Sequence, residues 1–157
     1  MTSPVESEDS FRKAWTVYEY LRDNLINNSN TSYLLSKGVE KLDYYAEKCA
    51  VELSEVRGVL AGTHTLETHP TYPRDTDLLL MEMNQSLYWS ILASLTKKFS
   101  YDELGPSLVI HAGYEKAKQI ATPPAEIDLP IVDFSDDIIK PSLNDVWTYL
   151  GIICGKM

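Results

Sequence analysis

The sequence predicts an all-α protein, a helical bundle built on a central antiparallel helix pair, and three observations predict it. Leu35, Val39, Leu42, Ala46, Cys49, Leu53, Val56 and Leu60 step by three and four along one stretch, which draws a continuous apolar stripe on a helix. A second stretch, from about Asp75 to Lys98, opens on Asp75 and Asp77 and closes on Lys97 and Lys98, the charge order that a helix dipole favours. No segment alternates convincingly for a sheet, although Leu129 to Phe134 is short and apolar enough for one strand.

The other elements follow in chain order. Residues 1–9 read as an acidic, disordered lead. A first helix is expected from about Ser10 to Ile26, with Phe11, Trp15, Tyr18 and the run Leu21 to Leu25 at helical spacing. The polar cluster Asn27 to Thr31 ends it. The long second helix begins at Thr31 or Lys37 and runs to Leu60; Gly38 marks a start or a kink, and Gly62 a stop. Residues 62–74 carry two prolines and several threonines and read as a loop. Ser100, with Glu103 three residues on, has the form of a capping box and should open a fourth helix through Val109 to about Ile120. Gly105-Pro106 and Gly113 weaken that run. Residues 10–120 thus form the helical domain. The extension 121–157 contains a proline-rich arm and a short last helix over Ser142 to Ile153.

Composition narrows the function. The 157 residues carry a formal net charge of -9, which argues against nucleic acid as a partner because binding it needs a basic face. An anionic substrate can still be held if a divalent cation lies between it and the protein. Two cysteines, Cys49 and Cys154, and a start without a basic, apolar leader fit a reducing cytoplasm. No apolar run approaches the ~20 residues of a membrane-spanning helix.

The residues that carry chemistry are Glu52 and Glu55 on the second helix and Glu82 and Gln85 on the third. Side chains three apart share a helix face, and a loop of about a dozen residues between two helices favours antiparallel packing. The two pairs should therefore face each other. Leu53, Val56, Met81, Met83, Leu87, Tyr88 and Trp89 surround them with apolar side chains. Carboxylates gathered beside an apolar interior repel one another and lose hydration, so they call for a cation, and hard oxygen ligands suit Mg²⁺ or Mn²⁺. Spacing alone fits a solvated charged face equally well. His64 and His69 lie in the loop, without a cysteine or third histidine near them to complete a metal site. Lys48 lies one turn before Glu52, and Tyr88, Lys97 and Lys98 follow on the third helix.

At these residues the chain resembles the all-α nucleoside triphosphate pyrophosphohydrolases, the MazG-like superfamily. The family pattern is Glu-Glu-x-x-Glu on one helix and Glu-x-x-Asp on the next. The matching stretches are Val51-Glu52-Leu53-Ser54-Glu55 and Glu82-Met83-Asn84-Gln85. The run Glu82 to Trp89, followed by Phe99-Ser100-Tyr101-Asp102-Glu103-Leu104, is similar to the phosphoribosyl-ATP pyrophosphatase branch. The resemblance covers about Ser32 to Lys118. It implies Mg²⁺ held by Glu52, Glu55, Glu82 and Gln85, with Glu52 or Glu55 orienting the attacking water. The reaction it implies is cleavage of a nucleotide's α–β phosphoanhydride to a monophosphate and pyrophosphate, with Lys48, Lys97 and Lys98 as candidate phosphate contacts and Tyr88 as a candidate wall for the base. It also implies a homodimer or homotetramer. Two positions depart from the pattern. Val51, β-branched and suited to packing, stands where a carboxylate is expected, and Gln85 stands where Asp is. The alternative that these substitutions raise is a catalytically weakened helical oligomer that binds nucleotide or serves structure.

Overall fold

The computed structural model describes residues 4–64 and 75–157, the turn before Glu8 by its backbone alone. All regular elements among these residues are helical. They are α1 (Pro4–Asp23), α2 (Asn30–Ser36), α3 (Leu42–Ala61), α4 (Asp75–Thr96), α5 (Tyr101–Leu104), α6 (Pro106–Lys116) and α7 (Ile139–Lys156). None of them is long and apolar enough to cross a membrane.

The all-α expectation holds, and so does the central pair. Tyr45 stacks on Trp89, the Cys49 thiol donates to the Ser86 carbonyl, and Glu55 meets Glu82. Positions that rise along α3 pair with positions that fall along α4, so the two helices run antiparallel. Cys49, Leu53 and Val56 are buried in this seam. α4 is enclosed on several sides: Leu78, Leu79, Met83 and the run Ser90 to Leu95 are all buried. Its buried serines are satisfied locally. Ser86 and Ser94 donate to the carbonyls of Glu82 and Ser90, and Ser90 accepts from the Trp147 indole at 2.9 Å.

Several expectations shift. The first helix starts at Pro4, inside the stretch read as disordered, and ends at Asp23. The long second helix is broken in two. Gly38 takes φ +69° and begins a 3₁₀ turn, Gly38–Lys41, between α2 and α3. Val39, counted in the apolar stripe, is 64% exposed in that turn. Ser29 caps α2 by accepting from the Ser32 amide. The capping box of Ser100 and Glu103 forms as expected, but the helix it opens is a single turn, because Gly105 turns left-handed and Pro106 starts α6 afresh.

The extension differs most from expectation. The stretch 129–134 forms no strand. The last helix is not short; it spans Ile139–Lys156, with Pro141 in its first turn, where a missing N–H costs nothing. Leu143, Val146, Trp147, Leu150 and Ile153 belong to the same core as α3 and α4. α7 packs on α6 at a glycine crossing, since a Cβ on Gly151 would meet the Ile110 carbonyl oxygen at 2.0 Å. The proline-rich arm lies along α3. It is anchored where the Arg57 guanidinium donates to the Ile127 carbonyl and where Phe134 enters the core, 1% exposed.

Candidate metal centre at the seam of α3 and α4

The seam that buries Leu53 and Val56 carries Glu52 and Glu55 along its edge, half-buried, while α4 places Glu82 opposite them at 1% exposure. The three carboxylates converge. Burial, and then the neighbouring carboxylates of Glu82 and Glu55, push the Glu52 carboxyl up to about 9. Burial, and then Glu55, push Glu82 up to about 7. Both shifts have the cause expected when acidic groups share a poorly hydrated site.

Gln85 lies against Glu52. With its amide turned so that nitrogen faces the carboxylate, Nε2 donates to Oε1 at 2.9 Å and to Oε2 at 2.7 Å. The same atoms in the opposite orientation would set oxygen against oxygen. In this contact Gln85, expected as a metal ligand, is a donor pair that holds one acidic group in place.

A further side chain joins that sequence reasoning had set aside. His64 Nε2 lies 3.1 Å from Glu82 Oε1. One ligand atom each from Glu55, His64 and Glu82 falls within 4.8 Å of the others. The backbone explains how His64 arrives there. Gly62 caps α3 in the left-handed conformation, φ +81°, which only glycine adopts without strain. The amides of Thr63 and His64 then donate back to the Gly58 carbonyl at 2.8 and 3.0 Å. The returning chain presses on α3 where Gly58 has no side chain; a Cβ there would meet His64 Cβ at 2.9 Å. The signal in the sequence was thus Gly58 and Gly62 ahead of His64, a helix end shaped to fold back. His69, the other loop histidine, lies outside the described residues.

The donor set fits a divalent cation. Glu82 Oε2 is buried without a hydrogen-bond partner, an arrangement that costs ~1–3 kcal/mol or more for a charged group unless something satisfies it. Two carboxylates and an imidazole, from Glu55, Glu82 and His64, with the Glu52 carboxyl beside them, are groups for which a cation supplies the missing charge.

The remaining predicted residues stand apart from the cluster. Lys48 is one turn before Glu52 on α3, its ammonium 5.5 Å over the Tyr44 ring. Tyr88 is committed to packing. Its hydroxyl is 2.6 Å from Thr31 Oγ1, its ring meets Tyr18 and Trp89 edge-on, and it lines a groove of about 210 Å³ with Phe11, Tyr18, Asn84 and Leu87. Lys97 pairs with Asp136 at 3.1 Å, far along the chain from Glu82. Val51 is 47% exposed and not packed. His111 stacks on Tyr114 along α6. Comparison with family models, with curated proteins and with solved structures gives no match for this chain.

Proposed function

We propose that the chain is a divalent-cation-dependent nucleotide pyrophosphohydrolase. The observation that carries this reading is the convergence of Glu52, Glu55 and Glu82 across the α3–α4 seam, with a buried, unsatisfied oxygen on Glu82. Facing carboxylates on an antiparallel helix pair are also what the resemblance to the MazG-like proteins implies. A bound Mg²⁺ or Mn²⁺ would neutralise charge on the phosphate oxygens during transfer. In this chain Glu55 and Glu82 would hold the cation. Glu52, fixed by the Gln85 amide, is the group set to orient a water and, once a bound cation has displaced its own proton, to draw the water's proton. Lys48 would approach the phosphates from one turn away. The product pair is a nucleoside monophosphate and pyrophosphate, from a triphosphate or from phosphoribosyl-ATP.

The test is pyrophosphate release from a panel of triphosphates and phosphoribosyl-ATP, with Mg²⁺ or Mn²⁺ and with chelator. Release should need the cation and fall at least ~100-fold in Glu52→Gln, the order expected for a lost general base. No release from any member of the panel overturns the hydrolase reading.

A second reading, a homo-oligomer that binds nucleotide without turnover, is favoured by one observation. Gln85 brings an uncharged donor where the resemblance expects a fourth carboxylate, so the site carries less charge for a cation. Assembly into a homodimer or homotetramer belongs to both readings. Its support is the exposed apolar set Val17, Tyr20, Tyr44, Val51 and Leu80. Trp15, Tyr88 and Trp89 pack inside the chain and add nothing to that set.

A further inference from the structure

We infer that the seam is a mixed nitrogen–oxygen site in which His64 ligates the cation with Glu55 and Glu82, selecting a later first-row transition ion such as Co²⁺ or Zn²⁺ over Mg²⁺. The inference rests on the cation-binding part of the reading above and not on the hydrolytic step. Three observations carry it. Glu55, His64 and Glu82 offer ligand atoms within 4.8 Å of one another. Ligands about 2.0–2.2 Å from a common ion stand at most about 4.4 Å apart, so small side-chain rotations close the set. Glu82 Oε2, on a residue 1% exposed, has no hydrogen-bond partner and belongs to this same cluster. His64 Nε2 already shares a hydrogen bond with Glu82 Oε1; an ion takes the place of the proton between them, as cations commonly do when they bind.

The placement of His64 is built into the chain. Gly62 turns the backbone, Gly58 leaves room for it, and two amides return to one carbonyl. Imidazole favours the later first-row ions such as Co²⁺ and Zn²⁺, whereas Mg²⁺ prefers oxygen and keeps its waters. Replacing one carboxylate with a nitrogen ligand therefore moves the preference along the transition series. The arrangement of two carboxylates and one imidazole leaves coordination positions for water or a phosphate oxygen. Gln85 fits this division of labour: it occupies Glu52 and leaves Glu55, His64 and Glu82 as the ligand set.

The experiment titrates the full chain, without nucleotide, with Co²⁺, Zn²⁺ and Mg²⁺ by calorimetry, and records the Co²⁺ visible spectrum. The expected order of affinity is Zn²⁺ over Co²⁺ over Mg²⁺. His64→Ala should weaken Co²⁺ and Zn²⁺ by more than the ~10–100-fold typical of an outer ligand partner, change the Co²⁺ bands, and leave the Mg²⁺ constant within a few-fold. His64→Gln, which keeps a polar side chain, should lose the same bands. An unchanged Co²⁺ affinity and spectrum in His64→Ala overturns the inference, as does a parent that prefers Mg²⁺. Co²⁺ binding through His64 without pyrophosphate release supports it while ending the hydrolase reading. Hydrolysis with a His64-independent metal response does the reverse.

Discussion

Gln85 and Glu52 face each other across the α3–α4 seam, with the amide nitrogen 2.9 and 2.7 Å from the two carboxylate oxygens. This contact gives the acidic cluster one neutral donor on a corner where a fourth carboxylate would otherwise repel the rest. Gln85→Asp removes the donor and adds a charge. In chelator the variant should lose ~1–3 kcal/mol, the cost of an unsatisfied buried partner. With Mn²⁺ present the loss should shrink, because a cation held by Glu55, His64 and Glu82 beside the pair offsets the added negative charge. Denaturant melts with and without metal check both halves. Equal losses in the two conditions would separate Gln85 from the metal centre.

The raised carboxyls make stability depend on pH in a defined direction. Glu52 and Glu82 titrate at about 9 and about 7 in the folded chain, above the ~4.3 of a free glutamate. Their contribution to metal-free stability is therefore fully present below about pH 4.3 and is lost as pH rises through about 7 and then about 9. In chelator, the part of the melting temperature that depends on these groups should fall over that window. Glu52→Gln with Glu82→Gln should flatten that fall and abolish the rise produced by Mn²⁺. Metal should stabilise more as pH rises, because it binds the deprotonated groups. A parent and double variant with the same pH profile would disprove the assignment.

The seam was legible in the sequence because it depends on period and loop length. Glu52 and Glu55, and Glu82 and Gln85, are each three apart, and a helical hairpin sets such pairs opposite one another. His64 was hidden because its position depends on backbone shape. Nothing in residue spacing says that Gly58 lacks a side chain for the purpose of receiving a returning chain. The last helix was underestimated for a related reason. Pro141 reads as a breaker in a sequence, yet it occupies the first turn, and the apolar residues after it complete a core whose other walls, α3 and α4, lie far earlier in the chain.

Gly58→Ala tests the backbone route to His64. Alanine favours a helix over glycine by ~1 kcal/mol, so on propensity alone the variant should be more stable. The new Cβ would stand 2.9 Å from His64 Cβ, which forces the returning chain outward. The expected outcome is a stability change near zero or unfavourable, with weaker Co²⁺ binding than the parent. A variant stabilised by the full helix increment, with unchanged Co²⁺ affinity, would show that the return of the chain at Gly58 does not hold His64.

Val51→Glu separates the outer face of α3 from the metal centre. Val51 is 47% exposed and Tyr44, two turns earlier on the same face, is 37% exposed. A charge on an exposed helix position changes monomer stability by no more than ~0.5 kcal/mol. Val51 stands beside Glu52 in sequence but about 100° around the helix from it, so the new carboxylate should leave the metal-induced rise in melting temperature unchanged. A larger rise would mean that it reaches the cation. The same variant reports on assembly. Apolar residues exposed at helical spacing suit an interface between copies of the chain, and a glutamate in the middle of such an interface would be buried without a partner. Light scattering of the parent should give a mass at least twice the 17.8 kDa of the chain, and Val51→Glu should shift the population towards the monomer as the protein is diluted. A parent that scatters as a monomer at micromolar concentration ends the assembly proposal. A variant that stays assembled on dilution places the interface on another face, with α1 and its exposed Val17 and Tyr20 as the next surface to charge.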